Sequence, residues 1–368
     1  MANNNYDMTM NMEEVKKRIE GGLLTAKKHP FLDLWIYNYT HKTQYRELWD
    51  EYTERCRGLI VDGSGHILNN PFRKFFNIGE KKYTKIENLP LEMPMITEKI
   101  DGRLGILYEE GNNGNIAIST RGTFESPYAI WATNWLRSKG FKFKDFKNGY
   151  TYLFDIVNSD DKVIVDYKDR SELVLLAVRN NFSDEELDHI KEAQRLGLSF
   201  AKEYSFEKVE DAVKYLDGLQ GSEFEGFVCK YTNGLRVKIK SLDYIRLHKL
   251  LSGVSARDIW LSLRDTGSVD SVVENVPDEF MQWVKRIETE LKVSKMEILT
   301  KAMNITLDAK KLERRADQFD YISRRSKKDY GLGLRKIAVL LLDGNVRRAE
   351  FWAWQMIKPS GDVFKIDR

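Results

Sequence analysis

The sequence predicts an α+β chain, with an antiparallel-sheet domain over residues 1–250 followed by an all-α domain over residues 251–368. Two observations carry this reading. From about Ile36 to Ser241, short runs rich in branched and aromatic residues alternate with turn signals. After Leu251 the strand signals stop and apolar residues recur at helical spacing. The step Leu251-Ser252-Gly253 is the expected boundary. The 368 residues suit two ordinary domains of roughly 150 residues each. A hydrophobic content of 42% supplies cores that a disordered chain lacks.

In the first part, residues 57–62 and 66–68 flank Gly63-Ser64-Gly65 as a hairpin, and 103–109 and 115–120 flank residues 111–114 as another. Runs 152–157, 162–167 and 173–178 read as strands. Runs 225–230 and 235–240 flank Asn233-Gly234, the strongest short hairpin signal. Helices are expected over 126–139, 184–196 and 207–216. Beyond the boundary, Phe280, Trp283, Val284, Ile287 and Leu291 form a stripe behind a Pro277-Asp278 start signal. Leu334, Ile337, Ala338 and Leu341 form a second stripe, ended by Asp343-Gly344, and Trp352, Trp354, Met356 and Ile357 close the chain. These stripes are core positions.

Composition excludes several classes. Two cysteines, Cys56 and Cys229, rule out a disulfide framework and a cysteine-based zinc site. Five scattered histidines argue against a histidine-rich metal site. No apolar run approaches the roughly 20 residues of a membrane span, and the polar start Met1-Ala2-Asn3 carries no signal peptide. The expected setting is cytoplasmic, with no membrane partner. The net charge of +3 hides a concentration of positive charge: residues 310–348 hold 12 Lys and Arg against 5 Asp and Glu. Such a surplus near aromatics suits a phosphate-backbone surface; a solvated helix face is the plainer alternative.

The segment Thr97-Glu98-Lys99-Ile100-Asp101-Gly102-Arg103 carries the chemistry. A lysine entering an Asp-Gly turn is a candidate nucleophile. It attacks only as the neutral amine, so its surroundings must disfavour the ammonium. Gly102 allows a tight turn, and Asp101, two residues on, is expected beside Lys99. If Asn233-Gly234 is a two-residue turn, Thr232 pairs with Leu235, Cys229 with Lys238 and Phe227 with Lys240. Glu225, Phe227, Cys229, Lys238 and Lys240 then share one face. Two inward lysines beside a glutamate suit a polyphosphate, with Glu225 on a ribose hydroxyl or a metal-bound water; a salt-bridge ladder on a half-exposed sheet is the alternative.

In this order the motifs resemble the covalent nucleotidyltransferase superfamily, and within it the RNA ligase 1 family of T-even-type phages. Tyr37-Asn38-Tyr39, Cys56-Arg57-Gly58 and Lys74-Phe75-Phe76-Asn77 are similar to the family's N-terminal signatures. Lys99-Ile100-Asp101-Gly102 is similar to its nucleophile motif, Phe154-Asp155-Ile156 to its third, Glu225-Gly226-Phe227-Val228 to its fourth and Lys238-Ile239-Lys240-Ser241 to its fifth. Tyr244 and Leu247-His248 continue the likeness.

The resemblance implies that Lys99 takes AMP from ATP, helped by Asp101, Glu225, Lys238 and Lys240. It places Tyr37, Arg57, Lys74, Phe76, Gly102, Arg121, Gly226 and Val228 at the nucleotide, and Asp155 and Glu225 at Mg²⁺, with Mn²⁺ as a substitute. Three positions depart from the family: Arg103 stands for Ser, Asp155 for Glu and Arg121 for Lys. The implied activity is ATP-dependent joining of RNA 3′-hydroxyl and 5′-phosphate ends, on single-stranded RNA or broken tRNA anticodon loops, through lysyl-AMP and RNA-adenylate. The implied enzyme is a monomer working beside an end-healing kinase-phosphatase, with the helical part as an RNA-specificity module. An mRNA guanylyltransferase or DNA ligase usually continues into a β-rich OB-fold, where this chain reads as helical. An inactive RNA-binding relative is disfavoured because Lys99, Glu225, Lys238 and Lys240 are all present.

Overall fold

Short runs of branched and aromatic residues, mostly buried along their length, draw the chain before His248 into three sheets, a pattern that ends where the helical stripes begin. The computed structural model describes residues 9–359 apart from 112, 162, 184, 275, 277–279 and 327–330. Its contacts separate Met1–His248 from Lys249–Arg368.

In the first unit, β1 (Leu24–Lys28), β2 (Leu34–Tyr39), β3 (Arg57–Asp62) and β4 (Ile67–Asn69) form an antiparallel sheet in that order. The following strands are β5 (Phe76–Asn77), β6 (Met95–Lys99), β7 (Arg103–Glu109), β8 (Ile116–Thr120), β9 (Tyr150–Val157) and β10 (Glu172–Asn180). After them come β11 (Glu186–Leu187), β12 (Ser199–Phe200), β13 (Glu203–Tyr204), β14 (Gly226–Lys230) and β15 (Arg236–Lys240). The second sheet runs β11-β10-β9-β7-β8, with β12 parallel on β10. The third runs β13-β6-β14-β15-β5, with β5 parallel to β15. The pairings are otherwise antiparallel, as expected.

The helices of this unit are α1 (Met12–Glu20), α2 (His41–Arg46), α3 (Glu51–Arg55), α4 (Pro127–Ser138), α5 (His189–Leu196), α6 (Val209–Asp217) and α7 (Leu242–Ser252), the last containing the division between units. α4 starts where Ser126 Oγ accepts the Ala129 N–H. Its Ala132 and Leu136 pack with Tyr152, Phe154, Leu173 and Leu175 of the second sheet.

Three expectations change. The described residues of the run 162–167 are bent, irregular backbone rather than a strand, and Lys162 lies outside the described residues. Their N–H groups are taken elsewhere: Ile164 and Val165 donate to the Asp101 carboxylate and Asp166 to the Ser222 carbonyl. The helix expected over 184–196 starts at His189, because Glu186 and Leu187 pair with β10 and Asp188 caps Ile190 and Lys191. Asp184 lies outside the described residues.

The third change matters most. Tyr231 N–H bonds the Leu235 carbonyl at 2.9 Å and Gly234, at φ 85°, donates to the Tyr231 carbonyl at 3.0 Å. The turn therefore holds three residues, with glycine at its left-handed position. Pairing shifts by one, to Val228 with Lys238 and Gly226 with Lys240. Phe227 and Cys229 then leave the lysine face. They join Val237, Ile239 and Ile96 in a core closed by Val209, Ala212 and Leu216 of α6.

The second unit contains α8 (Ala256–Thr266), α9 (Asp270–Val273), α10 (Met281–Ala309), α11 (Arg315–Ser326), α12 (Gly331–Leu342) and α13 (Val346–Met356), and no strand among its described residues. Phe280, Trp283, Val284 and Leu291 are buried as expected; the Pro277-Asp278 signal lies outside the described residues. Leu334, Ile337, Ala338 and Leu341 pack on Ile298, Ala302 and Ile305 of α10. Part of the positive charge of residues 310–348 is paired locally, Lys311 with Asp308, Arg314 with Asp317 and Arg315 with Asp343. No helix among the described residues is long and apolar enough to cross a membrane.

The buried Glu192 ties α5 to the second sheet. Its carboxylate accepts Tyr152 Oη at 2.5 Å and Arg195 Nη2 at 2.6 Å. The Arg195 hydrogen bond, with help from Tyr152, outweighs burial and holds this carboxyl at about 2. A lowered folded-state value stabilises above the ordinary glutamate range, an effect lost as pH falls toward 2. Glu192→Gln should therefore cost about 1–3 kcal/mol in urea denaturation at pH 7, with the gap from wild type narrowing at pH 3.

Candidate active site

Lys99 is the last residue of β6, and the third sheet carries it across Gly226 to Lys240. Two strand spacings separate Lys99 from Lys240, about 10 Å between backbones. The next row on the same face is Thr97, Val228, Lys238 and Asn77. Gly226 leaves a notch between the lysines, and Glu225 fills it. Glu225 Oε2 lies 2.8 Å from Lys99 Nζ and Oε1 lies 2.8 Å from Lys240 Nζ.

Unbroken alternation would send Glu225 into the core with Phe227. Gly226 breaks it at φ 155°, where a Cβ would meet the Ile239 carbonyl oxygen at 1.9 Å. Glu225 is 2% exposed. Burial alone would raise its carboxyl, but Lys240 and then Lys99 hold it below the ordinary range.

Asp101 does not bond Lys99. Its Oδ2 accepts the N–H groups of Ile164 and Val165 at 2.8 and 2.7 Å, and Oδ1 accepts Tyr244 Oη at 2.7 Å. Its own N–H donates to Tyr167 Oη. Asp101 thus ties the Lys99 turn to the loop before β10 and to α7, with burial and then Glu225 raising its carboxyl. Gly102 packs against Asp155 of β9, where a methyl group would sit 3.1 Å from the Asp155 Cβ. Burial pushes Asp155 up to about 7 against the pull of Lys99 and Arg57, with Glu225 and Asp101 adding to the rise.

Around this centre, Arg57 and Lys238 each lie 5.8 Å from the Phe75 ring. The buried Lys74 ammonium sits 5.3–5.4 Å from the rings of Tyr39, Trp49 and Phe76. Arg121 reaches the same Tyr39, donating to its Oη at 3.0 Å. Tyr37 is buried with Leu59, Val61 and Ile67, and a register shift after it separates it from Asn38 in the ladder. It is Tyr39 that meets Lys74 and Arg121. Arg103 stacks 3.8 Å over Tyr128.

Sequence reasoning thus brought together Lys99, Glu225, Gly226 and Lys240, with Asp155 against Gly102. It overlooked Trp49, Tyr167 and the anchoring role of Tyr244. The pair Tyr37-Asn38-Tyr39 held a signal for the ring over Lys74, but alternation gives both tyrosines one parity.

Asp155 and Glu225 lie close enough to sense each other's charge. Among the described residues no group of three or more His, Cys, Asp and Glu could hold a metal unaided. Two carboxylates with retained waters fit Mg²⁺, which dehydrates reluctantly.

The chain is 27% identical over 257 residues to a Thermovibrio ammonificans protein provisionally named an RNA ligase, covering 66% of this chain and 64% of that protein. It therefore spans less than two thirds of that relative. It is 25% identical over 334 residues to the RNA ligase of Rhodothermus phage RM378, covering 72% and 73%. A solved structure from Aquifex aeolicus, provisionally named an ATP-dependent DNA ligase, aligns at a TM-score of 0.46 and 12% identity over 91% of this chain and 99% of that one. A family model described as RNA ligase matches residues 55–244, half of the chain. Lys99, Asp155, Glu225 and Lys240 all fall inside that span, and the chain belongs to the RNA ligase family.

Proposed function

We propose that the chain is an ATP-dependent RNA ligase that joins 3′-hydroxyl and 5′-phosphate ends, on single-stranded RNA or anticodon-loop breaks. The observation that carries this reading is one buried carboxylate, Glu225, held 2.8 Å from both Lys99 and Lys240 across a glycine notch. Such a pair of inward cations suits a phosphate, and Lys99, 22% exposed at its side chain, stays accessible as a nucleophile.

In the first step the Lys99 Nζ lone pair forms a P–N bond to the α-phosphorus of ATP. The bond to the bridging oxygen breaks and pyrophosphate leaves. Glu225 Oε2 is the acceptor within reach of the Nζ proton. Lys238 and Lys240 neutralise the phosphate charge, and Val228, between Thr97 and Lys238, packs on the base. Arg57 and Lys74 meet the outer phosphates. Asp155 and Glu225 hold the divalent cation, Mg²⁺ or Mn²⁺, which when bound supplies further neutralisation of phosphate charge. In the second step an oxygen of the RNA 5′-phosphate attacks the same phosphorus and the P–N bond breaks, restoring Lys99. In the third, the 3′-hydroxyl attacks that 5′-phosphate and AMP leaves.

On this reading residues 1–250 perform adenylyl transfer and residues 251–368 select the RNA. The protein acts as a monomer in the cytoplasm, on ends prepared by a kinase-phosphatase. Asp101 is a positioning residue.

Incubation with ATP and Mg²⁺ should attach one adenylyl group to Lys99, detected by mass spectrometry of tryptic peptides, and Lys99→Ala should show none. Chelation with EDTA should abolish the adduct, and either Mg²⁺ or Mn²⁺ should restore it. Lys240→Ala should slow adenylylation by about 10²–10³-fold, as for loss of one preorganised electrostatic contact, with circular dichroism unchanged. Ligation of a 5′-phosphorylated RNA should exceed that of the matching DNA, and ATP should exceed GTP. Preference for DNA ends or for GTP would replace the RNA ligase reading by another nucleotidyltransferase.

A further inference from the structure

One cleft of the first unit, about 430 Å³, is lined by Arg73, Lys74, Arg179 and Arg236, with Glu54 the one carboxylate in its described lining. It continues the lysine face already described. Arg236, Lys238 and Lys240 alternate on β15 and so project from one side, at intervals of about 7 Å. Phe75 lines the cleft and lies 5.8 Å from Lys238 Nζ, so a single ring separates the cleft from the candidate active site.

The cationic groups are held in place. Glu186, its side chain 7% exposed, pairs with Arg179, Lys230 and Arg236. The Arg236 guanidinium also stacks 4.6 Å over Phe72. Arg236 Nη2 donates to both Glu186 oxygens and the ring fixes the guanidinium plane, so this residue lines the cleft already ordered and meets a phosphate at little entropic cost. A row of cations at regular intervals, leading away from the nucleophile, suits a chain of phosphates better than a single small anion.

We propose that this cleft binds the phosphodiester backbone of the RNA strand entering the site, with Arg73 and Arg236 as the contacting residues. The assignment rests on the RNA ligase reading for its choice of ligand, and a nucleotide triphosphate is the other source of the same chemistry.

The test uses the full chain, a fluorescein-labelled 5′-phosphorylated single-stranded RNA and a salt series read by anisotropy. Alongside it, the KM for ATP in Lys99 adenylylation is measured. Arg73→Gln and Arg236→Gln should each weaken RNA binding by about tenfold and lower the log Kd against log salt slope by about one. Arg236→Lys, which keeps the charge, should restore the slope. Unchanged RNA affinity and slope would overturn the proposal, as would a raised KM for ATP with RNA binding intact, which would give the cleft to the triphosphate. If Arg236→Gln melts early because Glu186 has lost a partner, Arg73→Gln, outside that cluster, carries the test alone. An RNA effect in a protein that forms no lysyl-AMP would sink the ligase reading and leave the cleft standing.

Discussion

Two lysine ammonium groups compete for one carboxylate that water barely reaches, and the site is arranged around that contact. An ionised Glu225, almost fully shielded from water, is tolerable because each of its oxygens is engaged by a cation, and removing either lysine leaves one oxygen without its partner. The lysines are equally constrained. They approach from strands on either side of β14, and the residue between them has no side chain. A methyl group at position 226 would strike the Ile239 carbonyl, so the notch, the strand pairing and the position of Glu225 stand or fall together.

A second tie converts this sheet feature into a site. The Asp101 carboxylate gathers two backbone N–H groups from the loop before β10 and the Tyr244 hydroxyl from α7. Those donors close the Lys99 turn against β9, bringing Asp155 up to Gly102. Lys99 of the third sheet thus comes within electrostatic reach of a carboxyl on the second whose affinity for protons burial has raised.

Much of this was legible along the chain. Lys99, Asp101 and Gly102 fall within one four-residue segment, Glu225 and Gly226 adjoin, and runs of branched residues identified the strands that hold them. The pairing of β14 with β15 was not. Asn233-Gly234 serves a two-residue or a three-residue turn, and the one-residue difference decides whether Phe227 and Cys229 sit with the lysines or beneath them. The Lys74 ammonium lies among rings contributed by positions 39, 49 and 76, which no local pattern connects. Branched residues 163–165 looked like a strand because periodicity cannot see that a distant carboxylate takes the N–H groups of Ile164 and Val165.

By itself, the chain's residue order determined the type of the longer elements, the division between a β-rich and a helical part, and the charged groups available to the site. These follow from side-chain periodicity and local turn preferences, which act over a few residues. Only the folded structure decided which cations meet Glu225, which tyrosine stacks on Lys74 and what Asp101 holds. Those contacts join residues tens to more than a hundred positions apart, and their geometry is fixed by sheet register and burial, which no short segment contains.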